Sequence, residues 1–338
     1  MRIGDRQFVV IGENIHTTRV VLLKGKRVVA TPEKGEALRY IDSHGQPALL
    51  PIPEKLKTTQ DYQEGRVKHV KVALHAAMAG ADEGMEYLRF LVGRQEGVGA
   101  DFLDLNVDEV SLRYEEQRQA MQWLVRAVKE MTPLPLAVDS SRVETLRAGL
   151  EVMEERRCLL NSASLERLEA VDLAREFGAE LVISAAGEKG MPEGTEGRLE
   201  NAGRMMEAAL SKGFAPGQLY LDPLVFPISV DISFGNHCLE AIRQLRARYG
   251  PELHITGGFS NVSFGLPCRQ IVNEVFLLQA MEAGADSGIV DPVSSPLSRV
   301  AALDRNSKPY LLTEAMLLGQ DTNCKNFLRA YRKGELEV

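Results

Sequence analysis

Short apolar runs that end in, or just before, a polar residue recur eight times along this chain. They are Phe8–Ile11, Phe102–Asn106, Leu136–Asp139, Leu159–Ser162, Glu180–Ser184, Leu219–Asp222, His254–Thr256 and Ser287–Val290. Stretches of helical period lie between most of them, near Tyr114–Met131, Val143–Val152, Leu165–Phe177, Leu199–Lys212, His237–Tyr249 and Ile271–Met281. Strands that alternate with helices imply a parallel sheet. Eight such units in one chain favour a closed (β/α)8 barrel, as one domain over residues 1–338. The runs are continuously apolar, as a strand buried on both faces requires. A doubly wound open sheet is the alternative. It should carry GxGxxG after an early strand, and none is found there.

Two segments fall outside the rhythm. Residues 17–57 mix β-branched pairs with turn signals at Gly25 and Gly45 and prolines at Pro32, Pro47, Pro51 and Pro53. They read as an insertion after the first strand, a hairpin and a lid. Asp61–Ala79 and Met85–Val92 read as helices, and Leu311–Tyr331 as a helical C-terminus.

The informative residues lie at the strand ends. Asn14, Asn106, Asp139, Asn161, Ser184, Asp222 and Asn261 each stand at or just after a run. In a barrel these ends converge on the face where active sites are built. A single Asn or Asp there is usually a helix N-cap. Ser140 and Ser141 could cap in place of Asp139, which frees that carboxylate. Seven amide, hydroxyl and carboxyl groups in register on one face exceed what capping needs. Carboxylates accept paired N–H donors, and amides pair with ring nitrogen and carbonyl groups in one plane. Such a set suits a flat, polar, largely uncharged heterocycle.

The loop Thr256–Gly265, TGGFSNVSFG, fits the same reading. Gly257 and Gly258 let backbone approach a ligand closely. Ser260, Asn261 and Ser263 supply neutral hydrogen-bonding groups, and the loop holds no lysine or arginine. An ordinary turn would use the same residue types.

Composition excludes several classes. A net charge of −7 without a long basic run disfavours nucleic acid. No apolar run approaches the roughly 20 residues that span a bilayer, and the N-terminus lacks the apolar core of a signal peptide. Cys158, Cys238, Cys268 and Cys324 form no CxxC pair, so neither zinc site nor disulfide framework is indicated, and a cytoplasmic setting is expected. His69 and His75 are six apart, not the four of a helical metal pair. Asp42–Ser43–His44 begins like the DxHxxG signature of corrinoid-binding domains. Pro47 stands where that signature has its glycine, so a surface turn is expected. His16 could serve acid–base chemistry or lie on the rim. No metal site is expected.

The segments GADFLDLNVD (Gly99–Asp108), PLAVDSS (Pro135–Ser141), LLNSAS (Leu159–Ser164), LYLDPLVFP (Leu219–Pro227) and SNVSFGLPCRQIVNEVF (Ser260–Phe276) resemble the pterin-binding family of dihydropteroate synthases and methyltetrahydrofolate–corrinoid methyltransferases. IGEN (Ile11–Asn14) is similar to the first strand of the methyltransferases. The resemblance covers most of Gly99–Pro292 and implies the (β/α)8 fold. It implies that Asp139, Asn161 and Asp222 hydrogen-bond a pterin ring, with Asn106 nearby. Asn261 matches the asparagine that reaches N5 and is the catalytic candidate. Ser184, Ser260 and Arg269 join the substrate-binding set, with Glu13, Asn14, Ser263 and Asn273 as further candidates. Dihydropteroate synthases carry an SRK-type basic loop where this chain has SNVS, and a basic eighth strand end where it has GIVDP (Gly288–Pro292). Without those cations a leaving pyrophosphate is not stabilised. The resemblance therefore implies methyl transfer between N5 of methyltetrahydrofolate and the cobalt of a corrinoid on a separate partner protein, by a homodimer. A pterin condensation and a non-catalytic pterin-binding protein are the alternatives.

Overall fold

The structure is a computed structural model that describes residues 2–3, 6–188 and 190–336. Eight parallel strands form one sheet in the order His254–Ile255, Leu219–Asp222, Glu180–Ser184, Cys158–Ala163, Leu136–Asp139, Phe102–Asn106, Val9–His16, Ser287–Val290. The first and last of these meet as well. Ile289 N–H donates to the Gly257 carbonyl at 3.0 Å and Asp286 N–H to the Ile255 carbonyl at 3.2 Å. The sheet thus runs round a ring, and with helices between successive strands the fold is the expected (β/α)8 barrel. The chain packs as two compact units, Met1–Ile11 with Leu160–Val338, and Gly12–Leu159.

The strands are apolar because both faces are covered. All five residues of Phe102–Asn106 are buried, and so are all four of Ser287–Val290. Five of the eight strands keep their expected limits. The first is longer, Val9–His16 rather than Phe8–Ile11, so Glu13, Asn14 and His16 lie within the strand and not beyond it. Polar residues in a strand interior conceal its extent when strands are read as apolar runs. The seventh strand ends at Ile255, and a 3-10 helix, Phe259–Ser263, follows.

The inserted segment is an antiparallel meander. Val28–Thr31, Gly35–Ile41 and Pro47–Pro51 pair in sequence. Val20–Leu22 pairs with Arg66–Lys68, so the excursion closes at Lys68, beyond the expected residue 57. The Asp42–His44 segment is a turn as expected: the Asp42 carboxylate accepts the N–H groups of His44 and Gln46 at 2.9 and 2.8 Å. The helix expected over Asp61–Ala79 is instead a single turn, that short strand, and the helix His69–Met78. His69 takes the Tyr87 hydroxyl at 3.0 Å, and His75 lies 3.1 Å from the Val110 carbonyl. Both histidines are structural.

The helices His69–Met78 and Asp82–Gly97 cross closely at Gly84. A Cβ there would lie 2.3 Å from the Ala77 amide nitrogen and 2.8 Å from the Ala73 carbonyl. Backbone cannot yield as a side chain would, so Gly84→Ala should overpack this contact. The expected cost of roughly 1–3 kcal/mol exceeds alanine's helix-propensity gain of about 1. A thermal melt of the variant should show a midpoint lower by about 1–3 °C.

Candidate active site

Within Gly12–Leu159, three strand ends bring four expected or adjacent groups together. The strands Phe102–Asn106 and Leu136–Asp139 run in register, with Asn106 opposite Asp139 and Asp104 opposite Ala137. Asn106 Nδ2 donates to Asp139 Oδ2 at 2.9 Å, while Asn106 Oδ1 accepts the Asp108 N–H at 3.0 Å. Asp139 caps no helix. The following helix starts at Val143 without a side-chain cap, and Ser140 accepts the Arg142 N–H instead, at 3.1 Å. Neither Ser140 nor Ser141 caps the helix as expected; it carries no side-chain cap at all.

Asp104 and His16 complete this half. Asp104 is two residues before Asn106, on the same face of the strand. Its buried carboxylate meets His16 Nε2 at 3.1 Å, and Asp139 Oδ2 lies 4.0 Å from the same nitrogen. His16 is therefore no rim residue. Burial pulls its pKa down, but the Asp104 hydrogen bond and the charges of Asp104, Asp139 and Glu13 outweigh that and raise it. Burial, then the neighbouring Asp104 carboxylate, pushes Asp139 up to about 7 against the opposing pull of His16. A proton is held here near neutrality.

One nitrogen and two carboxylates within 4.8 Å also make a donor set that a divalent cation could use. However, the His16–Asp104 edge is already at hydrogen-bond length, and Asn106 already donates to the Asp139 oxygen. These hydrogen bonds fix the three side chains relative to one another. Nearby, Glu13 takes Arg19 Nη1 at 3.2 Å, and the Asn14 N–H donates to Gln95 Oε1 at 3.1 Å.

Within Leu160–Val338, the strand ends supply Asn161, Ser184 and Asp222, and the loop after Ile255 supplies Asn261. Ser184 pairs with Asp222 across two strands. Ser184 Oγ accepts the Ala186 N–H at 3.3 Å, and Asp222 Oδ1 accepts the Leu224 N–H at 2.7 Å. Asn106, Ser184 and Asp222 thus each close the turn that follows their own strand. The local reading of such residues is half right: one oxygen shapes the turn, while Asn106 Nδ2 donates to Asp139 and Asp222 Oδ2 takes no part in its turn. Burial pushes Asp222 up to about 6, opposed by the Leu224 N–H and the Arg198 charge. Asn161 is buried.

The glycines of TGGFSNVSFG do what close approach demands. A Cβ on Gly257 would lie 3.4 Å from Asp222 Oδ1, and one on Gly258 would lie 3.1 Å from Asn261 Nδ2. The loop therefore packs its bare backbone against both candidate groups. Arg269 braces it: Nη2 donates to the Ser260 carbonyl and Nε to Ser263 Oγ, each at 2.9 Å. Ser263 is fully buried, so it and Arg269 hold loop shape. Ser260 and Asn273 line a small pocket with Phe259 and Asp291, and Asn273 Oδ1 is buried there without a partner.

Sequence reasoning left Asp104 without a role and passed over Arg198. Asp104 had a legible signal, the period-two spacing to Asn106 in LDLN. Arg198 had none, because a charged residue in a helix reads as solvent-facing.

Comparison with known proteins gives the family. The pterin binding enzyme family matches residues 89–291. The chain is 30% identical over 248 residues to a methylcorrinoid:tetrahydrofolate methyltransferase of Eubacterium limosum, covering 72% of this chain and 86% of that protein. It is 31% identical over 239 residues to methionine synthase of Mycobacterium leprae, 66% of this chain but only 19% of that much longer protein. Among solved structures, dihydropteroate synthase from Xanthomonas albilineans in complex with 7,8-dihydropteroate superposes with a TM-score of 0.52. It is 20% identical and covers 65% of this chain and 84% of that one, a likeness of fold. From strand-end chemistry, fold and family match together, the chain belongs to the pterin-binding enzyme family.

Proposed function

We propose that the protein transfers a methyl group between N5 of a tetrahydrofolate-type pterin and the cobalt of a corrinoid carried by a separate protein. The observation that carries this reading is the uncharged loop at Gly257–Ser263. Arg269, which follows it, is bound to the loop's own backbone and to Ser263. Displacing a pyrophosphate would need free cations at that place, and moving a methyl group would not. The likeness to a protein named methylcorrinoid:tetrahydrofolate methyltransferase supports the same choice.

In this reading Asp139, Asn106, Asn161 and Asp222 hold the pterin ring edge, with Ser184 and Ser260 beside them. Asn261 directs its amide at N5. As the N5–CH3 bond breaks, the methyl group leaves without the bonding electron pair, which stays on nitrogen, and Co(I) supplies the pair for the new bond. N5 takes up a proton as it becomes N–H. Asn261 cannot supply that proton, since an amide does not titrate, but it can orient N5 and donate a hydrogen bond to it. Holding both partners in line supplies much of the rate. The inserted segment, with Leu22 and Ile41 exposed, is the surface we assign to the corrinoid protein.

Mixing the protein with methyltetrahydrofolate and Co(I) cobalamin tests the reading. The cobalt spectrum should convert to that of methylcobalamin. Silence in both directions, with folate still bound, would leave a pterin-binding protein without this activity. Turnover of a pterin pyrophosphate with aminobenzoate would move the protein to the condensation class.

A further inference from the structure

Arg198 is the largest fully buried side chain among the described residues, and no carboxylate pairs with it. It stands in the helix Thr195–Ser211. Its Nη1 donates to the Gly194 carbonyl at 2.9 Å and its Nε to the Leu224 carbonyl at 3.4 Å. The guanidinium lies 4.8 Å from the Phe226 ring centroid and 6.0 Å from that of Phe234. Its Nη2 is buried with no partner. Burying a guanidinium is costly, and a satisfied core would leave no N–H spare.

What the arginine holds is a strained residue. Leu224 has φ +69°, a left-handed conformation that a branched side chain rarely adopts. Its N–H donates to Asp222 Oδ1 at 2.7 Å, and its carbonyl accepts from Arg198. The strained peptide is thus clamped at both ends, with Asp222 on one and Arg198 on the other. Gly257 closes in on the same Asp222 oxygen. The carboxylate is confined by a turn that depends on the arginine.

We propose that Arg198 is a positioning residue for Asp222: it locks the left-handed turn at Leu224 whose N–H aims the carboxylate at the pterin ring. This rests on the pterin reading above. The arginine also acts through its charge, which opposes the effect of burial on Asp222 and on Cys238, whose thiol burial nevertheless pushes up to about 12. A purely structural arginine would affect folding and leave Asp222 as it is.

The test uses Arg198→Met, Arg198→Lys and the double variant Arg198→Met/Leu224→Gly. Methyltetrahydrofolate affinity is measured by calorimetry, and the Asp222 carboxyl is titrated by carbon-13 NMR without ligand. Arg198→Met should weaken binding about tenfold or more, the size expected for one lost alignment. It should also raise the Asp222 midpoint above about 6. Arg198→Lys keeps the charge and should hold the midpoint near wild type, with affinity only partly recovered because the fork is lost. Glycine at 224 adopts positive φ freely, so the double variant should regain affinity but not the midpoint. Wild-type affinity and an unmoved midpoint in folded Arg198→Met would overturn the proposal. If Arg198→Met fails to fold, Arg198→Lys decides: affinity equal to wild type overturns it. If the wild-type protein binds no pterin, the functional reading fails, and the NMR midpoints alone decide the link between Arg198 and Asp222.

Discussion

Asn261→Ala should slow methyl transfer by about 100- to 1000-fold while leaving folate affinity within a few-fold of wild type. The magnitude is that of losing one donor aimed at charge that develops in the transition state. The split between rate and affinity follows from where Asn261 stands. Its backbone is pinned, with its N–H on the Gly258 carbonyl and its carbonyl on the Phe264 N–H, both at 3.0 Å. Alanine keeps both bonds, so the loop should hold its shape. What is lost is the amide that Gly258 makes room for. In the methylated substrate N5 carries three carbon substituents and little charge, so a donor there gains little. As the bond breaks, the electron pair returns to nitrogen and the same donor gains much more, which places its effect in kcat. Single-turnover spectra at saturating folate, with dissociation constants from calorimetry, separate the two quantities. A variant whose affinity falls as far as its rate would make Asn261 a binding residue only, in line with the non-catalytic alternative.

The barrel was legible because both-face burial leaves an unambiguous mark, a continuous apolar run. Leu136–Asp139 and Leu219–Asp222, apolar up to their last residue, were recovered residue for residue on that mark. Val9–His16 was not, since its second half carries Glu13, Asn14 and His16, and polar side chains in a strand look like a loop. That misreading also obscured His16: placed beyond the strand it belongs to the rim, placed within it His16 meets Asp104. The strand-end set was legible as chemistry, yet its turn-closing half was not. Whether Asp222 serves Leu224 or a ligand depends on geometry two residues ahead, where φ is positive without a glycine to announce it. The same blindness covers Arg198, whose burial no local pattern encodes.

Acid should weaken folate binding in two steps while it stabilises the unliganded protein, and these opposed trends are the second large expectation. Asp139 is held up to about 7 and Asp222 to about 6, so both are protonated in mild acid. A carboxyl that must accept ring N–H donors works only when ionised. Affinity should therefore fall about tenfold per pH unit below 7, and about a hundredfold per unit once Asp222 also protonates below 6. Folding runs the other way. Both carboxyls bind protons in the folded chain that the unfolded chain has already released, and His16, raised as well, does the same. Their contribution to stability is present in acid and is lost as pH rises through the folded values. Between pH 8 and about 6.5 the unliganded melting temperature should rise on acidification. Below that window His75, whose pKa burial lowers, begins to oppose the trend, because protons then favour the unfolded chain. Asp139→Asn should remove the upper step in the affinity profile, with its dependence starting only near 6, and should flatten the melting curve over the same window. An affinity independent of pH from 8 to 5.5 would mean that neither carboxylate receives the ring.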